Sequence, residues 1–179
     1  MRPDKQQSGN EKWIEEFLAH LETERRLSPH TVSNYRRDLE GIVEYCEVAG
    51  LTDWKSLDAQ HVRSWVAKRH RVGIGGRSLA RALSALRSFL QYLMRENHLQ
   101  VNVAKGIRAP KSARKLPEPL DPDEMARLLV SGDDSPLAIR DLAMLELMYS
   151  SGLRLAELVS LNLGDVDLAD GSVPVTGKG

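Results

Sequence analysis

Apolar positions recur every three to four residues through the first hundred residues, the spacing of one buried helix face. In WIEEFLAHLETERR, Trp13, Phe17, Leu18 and Leu21 share such a face and predict a first helix. Ser28-Pro29 predicts the start of a second, with serine as N-cap and proline at the first helical position. Its apolar side carries Val32, Tyr35, Leu39, Ile42, Val43 and Cys46, and Gly50 is placed to end it. A third helix is expected from Asp58, with Val62, Trp65 and Val66 inward, running into the glycine turn VGIGG. None of the three shows strand alternation. A fourth, from about Arg77 to Asn97, gathers Leu79, Leu83, Leu86, Leu90 and Leu93 on one side.

The pattern changes after Val103. AKGIRAPKSARKLPEPL, residues 104–120, has three prolines, five basic residues and little apolar periodicity, and predicts an extended linker able to follow a phosphate backbone. A second domain is expected over 121–179, opening at Asp121-Pro122-Asp123-Glu124 with the residues of a capping box. A helix from about Ser135 to a C-cap at Gly152 follows. Alternation appears only in DVDLADGSVPVTGKG, where Asp170-Gly171 predicts a hairpin-type turn between two short strands, the second weakened by Pro174. The fold class is therefore mainly α, with a short β-hairpin at the end.

Composition adds one decisive feature. The 179 residues are 41% hydrophobic, with a formal net charge of zero. That zero hides an asymmetry: residues 1–115 hold 21 Lys+Arg against 13 Asp+Glu, and residues 116–179 hold 4 against 12. Between 61 and 115 there are 13 basic residues and a single acid, Glu96. Such a block on folded elements points to a polyanion, although a solvated cationic face gives the same count. No apolar stretch is long enough to span a bilayer and the N-terminus lacks a signal-peptide core, so a cytoplasmic location is expected. The lone Cys46 agrees with a reducing compartment and sits where a core thiol would.

Opposite the leucines of the fourth helix, Arg77, Arg81, Ser84, Ser88, Gln91 and Arg95 form an acid-free stripe. Arginines interleaved with small hydroxyls suit phosphate oxygens and base edges. Lys68 and Arg69, in KRHR at 68–71, and Lys111, Arg114 and Lys115 in the linker are candidates to widen that footprint. In the second domain, Arg154 opens a helix with Glu157 three residues on. Spacing alone favours a simple staple of the helix start; the basic domain and linker nearby shift the balance toward a guanidinium fork oriented by a carboxylate to take a phosphate.

These residues carry a resemblance. SGLRLAELVSLNLGDVDLADGSVPVTGKG resembles the start of the catalytic domain of tyrosine site-specific recombinases. LSPHTVSNYRRDL, SLARALSALRSFLQYL, NVAKGIRAPK and PLAIRDLAMLELMYSSGLRLAEL together resemble the Xer subfamily, in particular its C-type subunit. The resemblance covers nearly the whole chain. It implies a helical, SAM-like core-binding domain over 1–103, the linker, and the start of an α+β catalytic domain, closing as a clamp on double-stranded DNA. It implies strand cleavage through a 3′-phosphotyrosyl link with no metal and no other cofactor, and resolution of chromosome dimers with a related XerD-like subunit in a heterotetramer. Arg154 matches the first catalytic arginine, Lys178 the hairpin lysine acting as general acid, and Glu157 a supporting acid.

Past Gly179 the family carries a His-x-x-Arg motif, a further His or Trp, and the nucleophilic tyrosine. Tyr35, Tyr45, Tyr92 and Tyr149 match none of these, so the 179 residues are expected to bind DNA without cleaving it alone. Other chemistries find no support. The GKG ending fails the Walker spacing, the five histidines have no i+3 or i+4 partner ligand, and no G-x-S-x-G is present. The alternative of a different class is a noncatalytic helical module, either a DNA-occupying regulator or a protein-interaction domain.

Overall fold

The computed structural model describes residues 9–111, 116, 118–130 and 133–175. It divides into two compact units, Met1–Arg114 and Lys115–Gly179. The first contains α1 (Gly9–Thr23), α2 (Pro29–Val48), α3 (Ala59–Arg71) and α4 (Gly76–Arg95), with a 3₁₀ turn at Trp54–Ser56. The second contains α5 (Pro122–Leu128), α6 (Pro136–Ser151), α7 (Leu155–Ser160) and a 3₁₀ turn at Leu163–Asp165. The architecture is mainly α, as the pattern predicts.

Local chemistry sets the ends of these helices. Ser28 Oγ accepts from the Thr31 N–H, and Pro29 supplies a preset φ where no amide hydrogen is needed. Asp58 Oδ1 accepts from the His61 N–H at 2.7 Å while the Asp58 N–H donates back to His61 Nδ1, a reciprocal cap in which histidine replaces the usual glutamate. Gly73 turns the chain from α3 into α4 at φ +94°, a left-handed conformation open mainly to glycine.

The first unit owns a full core. Phe17, Leu18 and Leu21 of α1 meet Leu39 and Ile42 of α2 and Trp65 of α3 around α4, which contributes Leu79, Leu83, Leu86, Phe89, Leu90 and Leu93. Phe89 packs edge-on against Phe17 and Trp54, with centroids 5.5 and 4.9 Å apart. The two buried indoles also satisfy their polar ends. Trp54 Nε1 donates to the Asn10 carbonyl at 3.2 Å and Trp65 Nε1 to the Gly41 carbonyl at 2.9 Å. Trp13 is only partly buried and lies against His98. Cys46 is buried, and burial pushes its thiol up to about 11, which leaves it an inert core group.

The stretch predicted to open an extended linker behaves differently at its start. Ala104 and Ile107 are buried in the core of the first unit, and a turn over residues 103–106 with Gly106 at φ +87° brings them there. Two apolar residues three positions apart in a basic, proline-bearing segment gave too short a pattern to register as packing.

The second unit is built on α6. Ser135 caps its start, Gly152 ends it at φ +66°, and Asp121 with Glu124 forms the expected capping box on α5. Among the described residues of this unit only Leu153 is buried. Leu137, Ile139 and Tyr149 of α6 are each more than half exposed. A helix apolar on all sides belongs to the interior of a domain, and here its sides are open. The two expected strands are reduced, among the described residues, to one antiparallel bridge between Asp167 and Ser172. The turn also differs. Asp167 Oδ1 accepts from the Ala169 and Asp170 N–H groups, so the loop spans four residues with Gly171 in the left-handed region. Residues 176–179 lie outside the described residues, and with them Lys178.

Candidate nucleic-acid interface

The acids and bases of the first unit are sorted by α2. One flank of this helix forms, with α1, a groove of about 410 Å³ lined by Glu11, Glu15, Glu40, Glu44 and Glu47, with Arg36 paired to Glu15. Its other flank forms, with α3, the glycine turn and the start of α4, a groove of about 370 Å³ lined by Arg37, Arg69, Arg81, Ser78 and one acid, Asp38. The cationic surface therefore belongs to three helices and not to α4 alone.

Each arginine reaches this groove by a different device. Arg81 lies on the predicted stripe, but it is not free. Its Nε and Nη2 hold both carboxylate oxygens of Asp38 at 2.8 and 3.0 Å, and Asp38 is buried in α2. Arg69 lies across α2 at Gly41, where a β-carbon would come within 1.8 Å of its Nη1, and its guanidinium stands 5.8 Å from the Trp65 ring. Arg37 is exposed. Arg77 is exposed at the first turn of α4 and has no ion-pair partner among the described residues. No side chain caps α4 at Gly75, so its first amide hydrogens remain available at the same end of the groove.

The rest of the predicted stripe divides. Ser84 and Gln91 are exposed and Ser88 half-buried on the expected face. Arg95, about 27 Å along the helix from Arg77 at 1.5 Å per residue, is occupied by Glu96 at 3.2 Å, by the His20 ring and by the face of Tyr92. His20 in turn contacts Glu24 at 2.9 Å. The absence of acids from α4 itself did not foretell the acids that α1, α2 and the helix end bring to it. KRHR also fans out, because consecutive helical residues point about 100° apart. Arg69 turns into the α2 groove, while His70 and Arg71 join Arg63 and Arg108 around a separate apolar groove on α3. Lys68 and Lys111 are exposed; Arg114 and Lys115 lie outside the described residues.

Arg37, Asp38, Gly41 and Ser78 were missed by sequence reasoning. Arg36 and Arg37 are adjacent in NYRRDL and differ only in flank, one facing Glu15 and the other the cationic groove. A three-residue contact across helices leaves no trace in the periodicity of one.

In the second unit the Arg154–Glu157 geometry is explicit. Arg154 is the N-cap of α7, its N–H donates to Glu157 Oε2 at 2.8 Å, and its Nη1 donates to Oε1 at 2.7 Å. These bonds, the backbone one first, hold the Glu157 carboxyl below the usual carboxylate range. A depressed carboxylate contributes its stabilisation above its unfolded value and loses it as pH falls through the folded one, so this staple persists at neutral pH. The Arg154 side chain is 80% exposed and Glu157 only 16%, so the fork is anchored on one edge with its other N–H groups toward solvent. Among the described residues no His, Cys, Asp and Glu side chains gather as a metal site, and no helix is long and apolar enough to cross a membrane.

A bundle of four helices with an arginine groove, joined to a unit with a carboxylate-anchored arginine, has counterparts among known proteins. Residues 14–97 match the phage integrase N-terminal SAM-like domain and residues 118–179 the phage integrase family. The chain belongs to the phage integrase family, the tyrosine recombinases. Within it the sequence is XerC-like. It is 51% identical over 170 residues to tyrosine recombinase XerC of Pseudomonas syringae pv. tomato, covering 94% of this chain and 57% of that protein. It is 50% identical over 166 residues to tyrosine recombinase XerC of Vibrio cholerae serotype O1, covering 93% and 53%. The chain thus spans a little over half the length of these relatives. A lambda integrase(75-356) dimer bound to a COC' core site is similar with a TM-score of 0.69 and 21% identity, over 88% of this chain and 55% of that one. The N-terminal domain of a phage integrase/site-specific recombinase from Haloarcula marismortui is similar at 0.51 and 19%, over 56% and 95%. At these identities the likeness is one of fold.

Proposed function

We propose that this chain grips duplex DNA with the arginine groove of its first unit, as part of a Xer-type tyrosine recombinase that resolves chromosome dimers together with a XerD-like subunit. The observation that carries the reading is the convergence of Arg37, Arg69 and Arg81 from three helices beside Arg77, which has no ion-pair partner among the described residues, in a family of recombinases. Arginine forks suit phosphate oxygens, and an interface of this kind binds with a strong salt dependence. In the second unit, Arg154 takes the non-bridging oxygens of the scissile phosphate with the N–H groups that Glu157 leaves unused, stabilising the charge of the transition state. Lys178 delivers the proton to the leaving 5′-oxygen. None of the four tyrosines in the 179 residues serves as the nucleophile. Tyr35, Tyr45 and Tyr92 pack against the core of the first unit, and Tyr149 lies on α6.

The test is fluorescence anisotropy of a ~30 bp duplex titrated with the chain at several salt concentrations, beside Arg77→Glu. With about four phosphate contacts, log K should fall with log salt at a slope of about −3.6, reduced by about one in the variant. Absence of binding at low salt would remove the reading in favour of a protein-interaction module. The same chain should leave no denaturation-resistant adduct on a nicked suicide duplex.

Gly41→Ala provides a second check. Alanine favours the helix interior by about 0.5–1 kcal/mol over glycine, so thermal stability should hold or rise. Its β-carbon displaces the Arg69 guanidinium, so duplex affinity should fall in the same protein. Equal affinity would remove Arg69 from the interface.

A further inference from the structure

We infer that Asp38 is a positioning residue for DNA binding, a buried carboxylate that strengthens the grip on a polyanion by fixing the Arg81 fork. The inference rests on the DNA-binding reading above. Among the described residues, Asp38 is the only acid lining the α2–α3–α4 groove, and it stands among three arginines. By net charge alone it opposes a phosphate backbone. Stability alone does not account for an ion pair here either, because apolar packing of similar volume would serve as well, although breaking the pair once built is costly.

Geometry supplies the reason for a carboxylate at this place. The Asp38 side chain is 7% exposed and that of Arg81 50%, so the acid is inside and the guanidinium spans the boundary. Nε and one hydrogen of Nη2 are taken by Asp38, at 2.8 and 3.0 Å. A guanidinium has five N–H donors, so three remain: both on Nη1 and the second on Nη2. With the Nε edge held on the buried carboxylate, the opposite end of the plane is fixed before DNA arrives. A long side chain held this way loses less conformational freedom on binding, and its remaining donors keep the planar spacing that phosphate oxygens or a guanine edge require. Asp38 itself touches no DNA in this arrangement.

The prediction runs against simple electrostatics. Asp38→Asn adds one unit of positive charge to the groove, which should tighten binding if Asp38 were only an acid near DNA. Positioning requires the reverse. In the full 179-residue chain, with a ~30 bp mixed-sequence duplex, Asp38→Asn should weaken binding about tenfold and lower the salt slope by about one contact. Circular dichroism melts run beside the titrations check that each protein is folded at the measuring temperature. Arg81→Gln should lose a similar factor, and the double variant should lose no more than Arg81→Gln alone, since Asp38 acts only through Arg81. Should Asp38→Asn fail to fold, Arg81→Lys carries the same test. It keeps the charge but cannot hold a carboxylate and a phosphate with one rigid fork, so the same loss is expected. Binding as tight as the unaltered chain in Asp38→Asn, or in Arg81→Lys, overturns positioning and leaves the DNA-binding reading intact. A duplex that the unaltered chain ignores at low salt overturns both.

Discussion

Phe89→Ala is expected to lower the melting temperature of the first unit by about 15 °C or more. Truncating a buried phenylalanine typically costs about 3–5 kcal/mol, and each kcal/mol shifts a domain of this size by about 4–8 °C. Phe89 sits at the upper end because it is fully buried and its ring has aromatic partners on two elements, Phe17 of α1 and Trp54 of the turn before α3. A void there opens three elements together, and nearby side chains cannot collapse into it without unseating the Trp54–Asn10 hydrogen bond. Differential scanning calorimetry would measure it. Leu163→Ser, at a residue 98% exposed, is the control and should leave the transition where it was. A shift below a few degrees for Phe89→Ala would show that α4 is not the centre of the core.

Arg81→Glu is expected to destabilise the same unit, whereas Arg77→Glu is not, although both lie on one face of α4. Replacing Arg81 leaves Asp38 buried without a counter-ion and places a second carboxylate beside it. Breaking a buried pair in this way costs about 3 kcal/mol or more. The half exposure of Arg81 keeps the expected loss near that lower figure. Arg77 has no such partner among the described residues, so its reversal should move the melting temperature little while weakening DNA binding. Paired thermal melts and duplex titrations would separate the two effects. A stable Arg81→Glu chain would mean that Asp38 finds solvent or a new donor.

The contrast between these two arginines marks the limit of what the sequence made legible. Helix boundaries followed from Ser28-Pro29, Asp58, Asp121-Pro122 and Gly152 because capping and turn chemistry are local. The core followed from the leucine spacing of α4, and the Arg154–Glu157 geometry from an i,i+3 separation on one helix start. Asp38 and Arg81 are 43 residues apart, and nothing in either helix announces the other. The terminal hairpin differs from its expected form for another reason, among the described residues. Asp-Gly is a strong turn signal, yet the Asp167 carboxylate gathers the Ala169 and Asp170 N–H groups and widens the loop.

The open sides of α6 bear on how the chain is made. The first unit carries its whole core within residues that leave the ribosome before the second unit, and helical bundles with local contacts fold in microseconds to milliseconds. At 5–20 residues per second, the 64 residues of 116–179 take roughly 3–13 s to add. The cationic half therefore has seconds in which to fold before the second unit is complete. Any sticking through Leu137, Ile139 and Tyr149 then involves a chain whose other half has had time to fold.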